Sequence, residues 1–331
     1  MITLFISFIC FVIFWCYFYY LNNRYLLDKH LALIISFIIS LTAFRPNSNL
    51  FLLLAHFVVI SIILLFITSF RQLLSVIIAS VISILIVIAG IFNMHDEKRT
   101  YYQYDTNLAN DRRLCLLADL HYPSATSKKE LSRIVEKINN ENSDYVILAG
   151  DIIDENTSKD KMIEVFEILG KIKAKVLYVY GNHDTLKYSI SHKFTKEEFL
   201  ECLKSNDIKL LDDEVLCEDD LCFVGIDRYD KDDDSALIKN LNQDKYNIII
   251  DHEPKGLSDV SDHADMHLSG HTHGGQIFPM YYIYEWFKIN DNNYGQKYFN
   301  DMVSINTSGI RGWGFDVRTS LFSEYVVIDL I

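Results

Sequence analysis

Charge is nearly missing from the first 92 residues of this 331-residue chain. Only Arg24, Asp28, Lys29, Arg45 and Arg71 carry it. A basic excess is missing from the remainder, which holds 27 Lys and Arg against 43 Asp and Glu, a net −16. A domain that acidic repels a polyanion, so nucleic acid is excluded as a partner. The six cysteines lack both metal-site spacing and the pattern of a disulfide framework. Cys217 and Cys222 flank a turn of Glu218, Asp219 and Asp220 and could pair across strands. Two free thiols in a reducing compartment is the favoured expectation. Residues 1–21 lack a basic leader and are followed by further apolar runs, which argues against a cleaved signal peptide.

Long apolar runs are what the N-terminal part has instead. Ile2–Leu21 would be about 30 Å long as a helix, the thickness of a bilayer's hydrocarbon core. Leu50–Phe70 and Leu73–Phe92 are of similar length, separated only by Arg71 and Gln72, and predict a tight helical hairpin. Leu31–Phe44 is shorter. Residues 1–92 are therefore expected to be a multi-pass membrane region of three or four helices, with 93–112 as a linker. With either count, the Lys/Arg bias of the connecting loops puts residues 113–331 in the cytoplasm, narrowly so for four spans. His56 lies within one apolar run without a carboxylate at its depth, and is expected as a neutral imidazole bonded to a neighbouring helix. Tyr101, Tyr102 and Tyr104 of the linker would suit the headgroup level.

Beyond residue 112 apolar strands alternate with helical stripes, and most of the strands end in a polar cluster. Arg113–Ala118 leads into Asp119 and His121. A capping box, Ser127 and Glu130, starts a helix with Leu131, Ile134, Val135 and Ile138 on one face. Asp144–Ala149 leads into Gly150, Asp151 and Asp154. A helix over about 159–173 follows. Val176–Tyr180 leads into Gly181, Asn182, His183 and Asp184. Thr195 and Glu198 cap another helix, and short strands are expected near 208–211, 214–217 and 221–226. Tyr246–Ile250 leads into Asp251 and His252, and Asp265–Leu268 into Ser269-Gly-His-Thr-His-Gly-Gly-Gln276. The alternation implies right-handed crossovers and a parallel core sheet, whose ligands bind at the strands' C-terminal ends. Asp230–Asp234 lacks the Gly and Glu of a calcium loop in its frame and predicts a solvated loop before a helix over 235–241. His267, inside its strand, is expected in the core or second sheet, and His192 and His263 in loops.

In the Gly-His-Thr-His segment, His271 and His273 sit two apart, so in an extended backbone both leave one face and can reach neighbouring ions. Asp119, His121, Asp151, Asn182, His252, His271 and His273 combine carboxylate, imidazole and amide oxygen, a set that suits Mn, Fe or Zn better than Ca or Mg. Seven ligands divide over two ions if one carboxylate bridges. Two divalent ions, two aspartates and a bridging hydroxide leave a net charge of about +1, which attracts phosphate.

Asp-x-His, Gly-Asp-x-x-Asp, Gly-Asn-His-Asp, a lone His and Gly-His-x-His, in that order over residues 113–331, resemble the calcineurin-like metallophosphoesterases. That resemblance implies an α/β fold, a four-layer αββα sandwich of two mixed sheets flanked by helices. It implies Asp119, His121 and His273 on one ion, Asn182, His252 and His271 on the other, and Asp151 between them. His183 would stabilise the transition state and protonate the leaving oxygen, Asp184 would orient His183, and Asp154 would back the ligands. A hydroxide shared by the ions would attack a phosphodiester or pyrophosphate bond. Gly-His-Thr-His-Gly-Gly-Gln-Ile-Phe-Pro279 and the closing Gly-Ile-Arg-Gly-Trp-Gly resemble a bacterial membrane-attached branch, some members of which cleave UDP-2,3-diacylglucosamine. That implies a phospholipid or lipid-linked phosphate as substrate. The aromatic residues between Phe278 and Phe299 could be a lid meeting the bilayer or ordinary sheet core. Arg311 and Trp313 could grip a second phosphate and a base or lipid, or lie in a tight turn with the arginine exposed. A tethered phosphodiesterase of soluble substrates, or a catalytically silent membrane scaffold, are the alternative readings.

Overall fold

The computed structural model describes residues 2–25, 29–44, 49–67, 72–184, 193–226, 237–238 and 241–331. The chain forms two compact units, one of residues 1–92 with 314–319, the other of 93–313 with 320–331. Helices α1 (Ile2–Tyr25), α2 (Lys29–Ser40), α3 (Asn49–Ile67) and α4 (Gln72–His95) make up the N-terminal part. Phe14, Phe18, Phe57, Val58 and Ala79 pack at its centre, while many Ile, Leu and Val side chains of these helices stay exposed. Ser40, Ser61 and Ser83 return their hydroxyls to carbonyls one turn back. The His56 ring also bonds within its own helix: its Nδ1 faces the Leu52 carbonyl at 2.8 Å, rather than the neighbouring helix that was expected. Among the described residues one helix, Ile77–His95, is long and apolar enough to cross a bilayer, and Cys10–Tyr20, Ile34–Ala43 and Asn49–Ile63 are shorter apolar helices.

The larger unit holds two six-stranded mixed sheets. In the first, β1 (Lys98–Tyr104), β12 (Glu324–Leu330), β2 (Arg112–Leu117), β3 (Tyr145–Ala149), β4 (Lys175–Val179) and β5 (Ile208–Leu210) lie side by side in that order. In the second the order is β10 (Gly295–Phe299), β11 (Met302–Asn306), β9 (Met266–Ser269), β8 (Tyr246–Asp251), β7 (Leu221–Ile226) and β6 (Glu214–Glu218). Strands β2 to β5 run parallel, as do β7, β8, β9 and β11.

Period-two burial separates the layers. Cys115, Leu117, Val146, Leu148, Val176 and Tyr178 point to one side, where they meet α5 (Lys128–Asn140), α6 (Lys159–Leu169) and α7 (Lys196–Ser205). Their neighbours Leu114, Leu116, Ile147, Ala149, Leu177 and Val179 point to the other side, against Phe223, Ile248, Ile250, Leu268 and Ile305 of the second sheet. Strands buried on both faces read as continuous apolar runs for this reason. The outer face of the second sheet packs Val224, Ile249 and Met302 on Leu257 and Val260 of a short helix, α8 (Leu257–Val260). Two mixed sheets flanked by helices are thus the fold expected from the sequence. Both capping boxes form, at Ser127 with Glu130 and at Thr195 with Glu198.

Several local expectations change. The stretch read as a linker contains β1, which pairs with β12; its alternate residues Thr100, Tyr102 and Tyr104 are half-buried while Arg99, Tyr101 and Gln103 face out. Polar and tyrosine-rich composition hid that alternation. Cys217 and Cys222 are directly opposed in the β6–β7 hairpin and joined as a disulfide, not two free thiols. The support that free cysteines lent to a reducing compartment lapses with them. His267 lies buried in β9 with Nδ1 3.3 Å from Ser304 Oγ, in the second sheet as expected. The acidic run 230–234, His192 and most of the helix expected over 235–241 fall outside the described residues.

Candidate metal centre

The site forms where the C-terminal ends of parallel strands from both sheets converge. Turns after β2, β3 and β4 carry Asp119 and His121, Asp151, and Asn182 with His183. Turns after β8 and β9 carry His252, and His271 with His273. Asp119, His121, Asp151, His271 and His273 all have φ between 45° and 72°. Non-glycine residues rarely occupy this left-handed region, and where they do the strain concentrates at functional sites. Gly181 packs so closely on Asp151 that a Cβ there would overlap its carboxylate, and Gly309 (φ 82°) does the same beneath Asp119.

Each aspartate divides its labour. Asp119 accepts the His271 backbone N–H on Oδ2 at 3.1 Å, and its Oδ1 stands 3.7 Å from His273 Nε2 and 4.0 Å from His121 Nε2. Asp151 accepts the His183 backbone N–H on Oδ1 at 2.8 Å, and its Oδ2 stands 3.1 Å from His252 Nε2 and 3.9 Å from His121 Nε2. Backbone carbonyls fix two of the rings: His252 Nδ1 faces Ala149 O at 2.7 Å, and His273 Nδ1 faces Arg311 O at 3.1 Å. With Nδ1 so engaged, Nε2 of each ring points into the centre, the usual arrangement of a metal-ligating histidine. His271 Nδ1 lies 3.0 Å from Asn182 Oδ1.

The donor atoms gather in three groups, each within 4.8 Å: Asp119, His121 and His273; Asp151, His252 and His271; and His121, Asp151 and His183. His121 makes the clearest test of whether ions fit. Its ring is fully buried and neither nitrogen has a hydrogen-bond partner. A buried polar group in that state costs about 1–3 kcal/mol unless something binds it, and a cation among two carboxylates would do so. Burial pushes the His121 imidazole down to about 4, neutral and able to donate a lone pair. Burial would raise the Asp151 carboxyl, yet the surrounding imidazoles hold it well below the usual range, so it is an anion. The donor set therefore fits two divalent ions.

The neighbours of His183 differ from expectation. The Asp184 carboxylate accepts backbone N–H groups of Asp151, Ile152, Ile153 and Gly181 at 2.6–3.0 Å, and so shapes the Asp151 turn. Burial and the charge of Asp151 push its pKa up to about 7. Glu155, unmarked by any motif in the sequence, takes the place beside His183, with Oε2 2.7 Å from Nδ1. Asp154 is buried and accepts the Asn156 N–H at 2.8 Å, holding the turn that presents Glu155.

Arg311 is not a substrate grip, nor is it exposed. Its side chain is fully buried, pairs with Glu97 at 2.7 Å and Glu130 at 3.2 Å, and donates to Met94 O and Ile310 O. Glu97 lies in the supposed linker, which is why sequence spacing did not reveal the pair. Trp313 does flank the centre: it is half exposed, its ring is 5.4 Å from that of His183, and its backbone N–H is held by Gln276 Oε1 at 2.9 Å.

The calcineurin-like phosphoesterase family model matches residues 112–275. An uncharacterized metallophosphoesterase of Campylobacter jejuni is 31% identical over 68% of this chain and 60% of its own length. One from Helicobacter pylori is 28% identical over 69% of this chain and 62% of its own length. A zebrafish protein named as a transmembrane protein with a metallophosphoesterase domain is 29% identical over 52% of this chain and 42% of its own. The chain thus spans about 60% of the length of these two curated bacterial relatives. Over residues 112–275 the chain is thus similar to the calcineurin-like phosphoesterases, metal-dependent phosphoester hydrolases, and its donor groups fit two divalent ions.

Proposed function

We propose that the whole chain is a membrane-anchored phosphohydrolase that cleaves a phosphodiester or pyrophosphate bond of a lipid-linked or amphiphilic substrate. The observation that carries the reading is the pair of donor groups, Asp119–His121–His273 and Asp151–His252–His271, set side by side. Two divalent ions held by them would supply Lewis acidity and a nucleophilic water at neutral pH. Asp119, His121 and His273 would hold one, and Asn182, His252 and His271 the other, with Asp151 serving both. His183 would donate the proton to the leaving oxygen, with Glu155 fixing its ring through Nδ1 so that Nε2 meets the substrate. Trp313, beside His183, would bound the leaving group.

The anchoring reading is supported by the apolar helix Ile77–His95 and the shorter apolar helices before it, and by the name of the zebrafish relative. A multi-pass topology with the catalytic domain in the cytoplasm, and a substrate of the UDP-2,3-diacylglucosamine kind, belong to the same proposal. The test is hydrolysis of bis(p-nitrophenyl) phosphate by the full chain in detergent with Mn, Fe or Zn added in turn, then of a diacylated sugar nucleotide in mixed micelles. Turnover of both, faster for the lipid, is expected. Turnover of the soluble diester alone would reduce the proposal to a tethered phosphodiesterase. Metal-free, inactive protein would favour a silent scaffold.

A further inference from the structure

Directly after the histidines of the centre the chain forms a helix that the sequence did not announce, α9 (Met280–Phe287). None of its residues is buried. Phe278, Tyr282 and Trp286 recur every fourth position and form one stripe. They are 55%, 60% and 85% exposed, and Phe287 beside them is 71% exposed. Tyr281, Ile283 and Tyr284, on the inward side, are half-buried. The helix is therefore amphipathic in the unusual sense: its aromatic stripe faces out. Its root is fixed, since a Cβ at Gly275 would collide with the Tyr281 backbone. Asn293 donates to Glu285 Oε1 at 2.6 Å and ties down the helix's one acidic side chain.

We infer that the Phe278–Tyr282–Trp286–Phe287 stripe is a docking surface for the bilayer interface, which presents the substrate's phosphate to the metal centre. The inference rests on the membrane part of the proposed function. Indole and phenol rings are the side chains that favour the headgroup boundary, with apolar bodies and a polar edge. Exposed Lys288, at the end of the stripe, offers a cation to lipid phosphates. The chain itself brings a bilayer near: it leaves the apolar helix at His95 and enters β1 at Lys98.

The test uses the full chain reconstituted in phosphatidylcholine–phosphatidylglycerol vesicles. Of the three tryptophans, Trp15 and Trp313 are changed to Phe so that Trp286 alone emits. Acyl-brominated phosphatidylcholine should quench at least about half of its emission, and iodide should not. The difference in quenching between the native chain and Trp286→Phe gives the same answer should the first variant fold poorly. Iodide quenching without bromolipid quenching would overturn the inference. So would protection from both with self-crosslinking at Trp286, which would mean a second copy covers the stripe, and so would failure of the chain to sediment with vesicles. Native protein is assayed alongside on bis(p-nitrophenyl) phosphate. Hydrolysis without quenching sinks the docking surface alone, and quenching without hydrolysis sinks the catalytic reading alone.

Discussion

Two buried polar clusters occupy the catalytic domain, and they are built on opposite principles. Around Arg311 the charges close on one another: Glu97 meets Arg311 at 2.7 Å, Arg133 at 2.7 Å and Lys137 at 3.0 Å, and Arg311 also reaches Glu130. Around Asp151 the donors are of one kind. Carboxylate oxygens and imidazole nitrogens stand 3–4 Å apart, aimed at shared space. The lesson is that burial and charge alone do not mark a functional site. What distinguishes the centre is a set of carboxylate and imidazole donor atoms converging on shared space, held by strained turns. The two meet at one residue, since Arg311 gives its guanidinium to the closed cluster and its carbonyl to His273 of the open one.

If the comparison is sound, substitutions should separate the two. The largest effect should follow Asp151→Asn, lowering diester hydrolysis about a thousandfold while the thermal midpoint moves little, as calorimetry would show. Glu155→Gln should lower kcat by about ten- to a hundredfold with KM nearly unchanged, because it misorients a proton donor and not the ligands. Steady-state kinetics would reveal a different role if KM moved instead. Arg311→Met should do the reverse of Asp151→Asn. It leaves Glu97 buried with only Arg133 and Lys137 and should cost about 3 kcal/mol or more in denaturant unfolding, with the Arg311 carbonyl still present for His273. The smallest effect belongs to Glu130. Burial would raise its carboxyl, but bonds from Ser127, His95 and the Arg311 charge hold it at about 2, below the ordinary 4.5. Its contribution to stability is therefore complete above pH 4.5 and lost as the pH falls toward 2. Melting curves of Glu130→Gln should converge on those of the native chain over that window.

The strand ends were legible in the sequence because apolar runs, capping boxes and polar clusters coincide, and the residues expected at the centre do come together there. What stayed hidden has a physical reason in each case. Glu155 is one residue beyond a recognisable motif, and only the turn held by Asp154 swings it to His183. Arg311 is paired with a residue more than 200 positions earlier, a distance at which no local pattern helps. Strand β1 hid in polar composition because only one of its faces is half-buried. The Cys217–Cys222 pairing was geometrically open from the sequence, and the preference for free thiols came from an assumed compartment rather than from the hairpin. The aromatic helix α9 is short and buries none of its residues, so no inward stripe marked it.

The central claim is that the converging donors bind two divalent ions and hydrolyse a phosphoester. The most direct measurement is metal content by elemental analysis of the full chain purified in detergent, beside Asp151→Asn and with bis(p-nitrophenyl) phosphate turnover recorded on both. The account predicts about two ions per native chain, fewer in the variant, and turnover only in the native protein. A native chain that takes up no Mn, Fe or Zn and hydrolyses nothing, although folded, would contradict it.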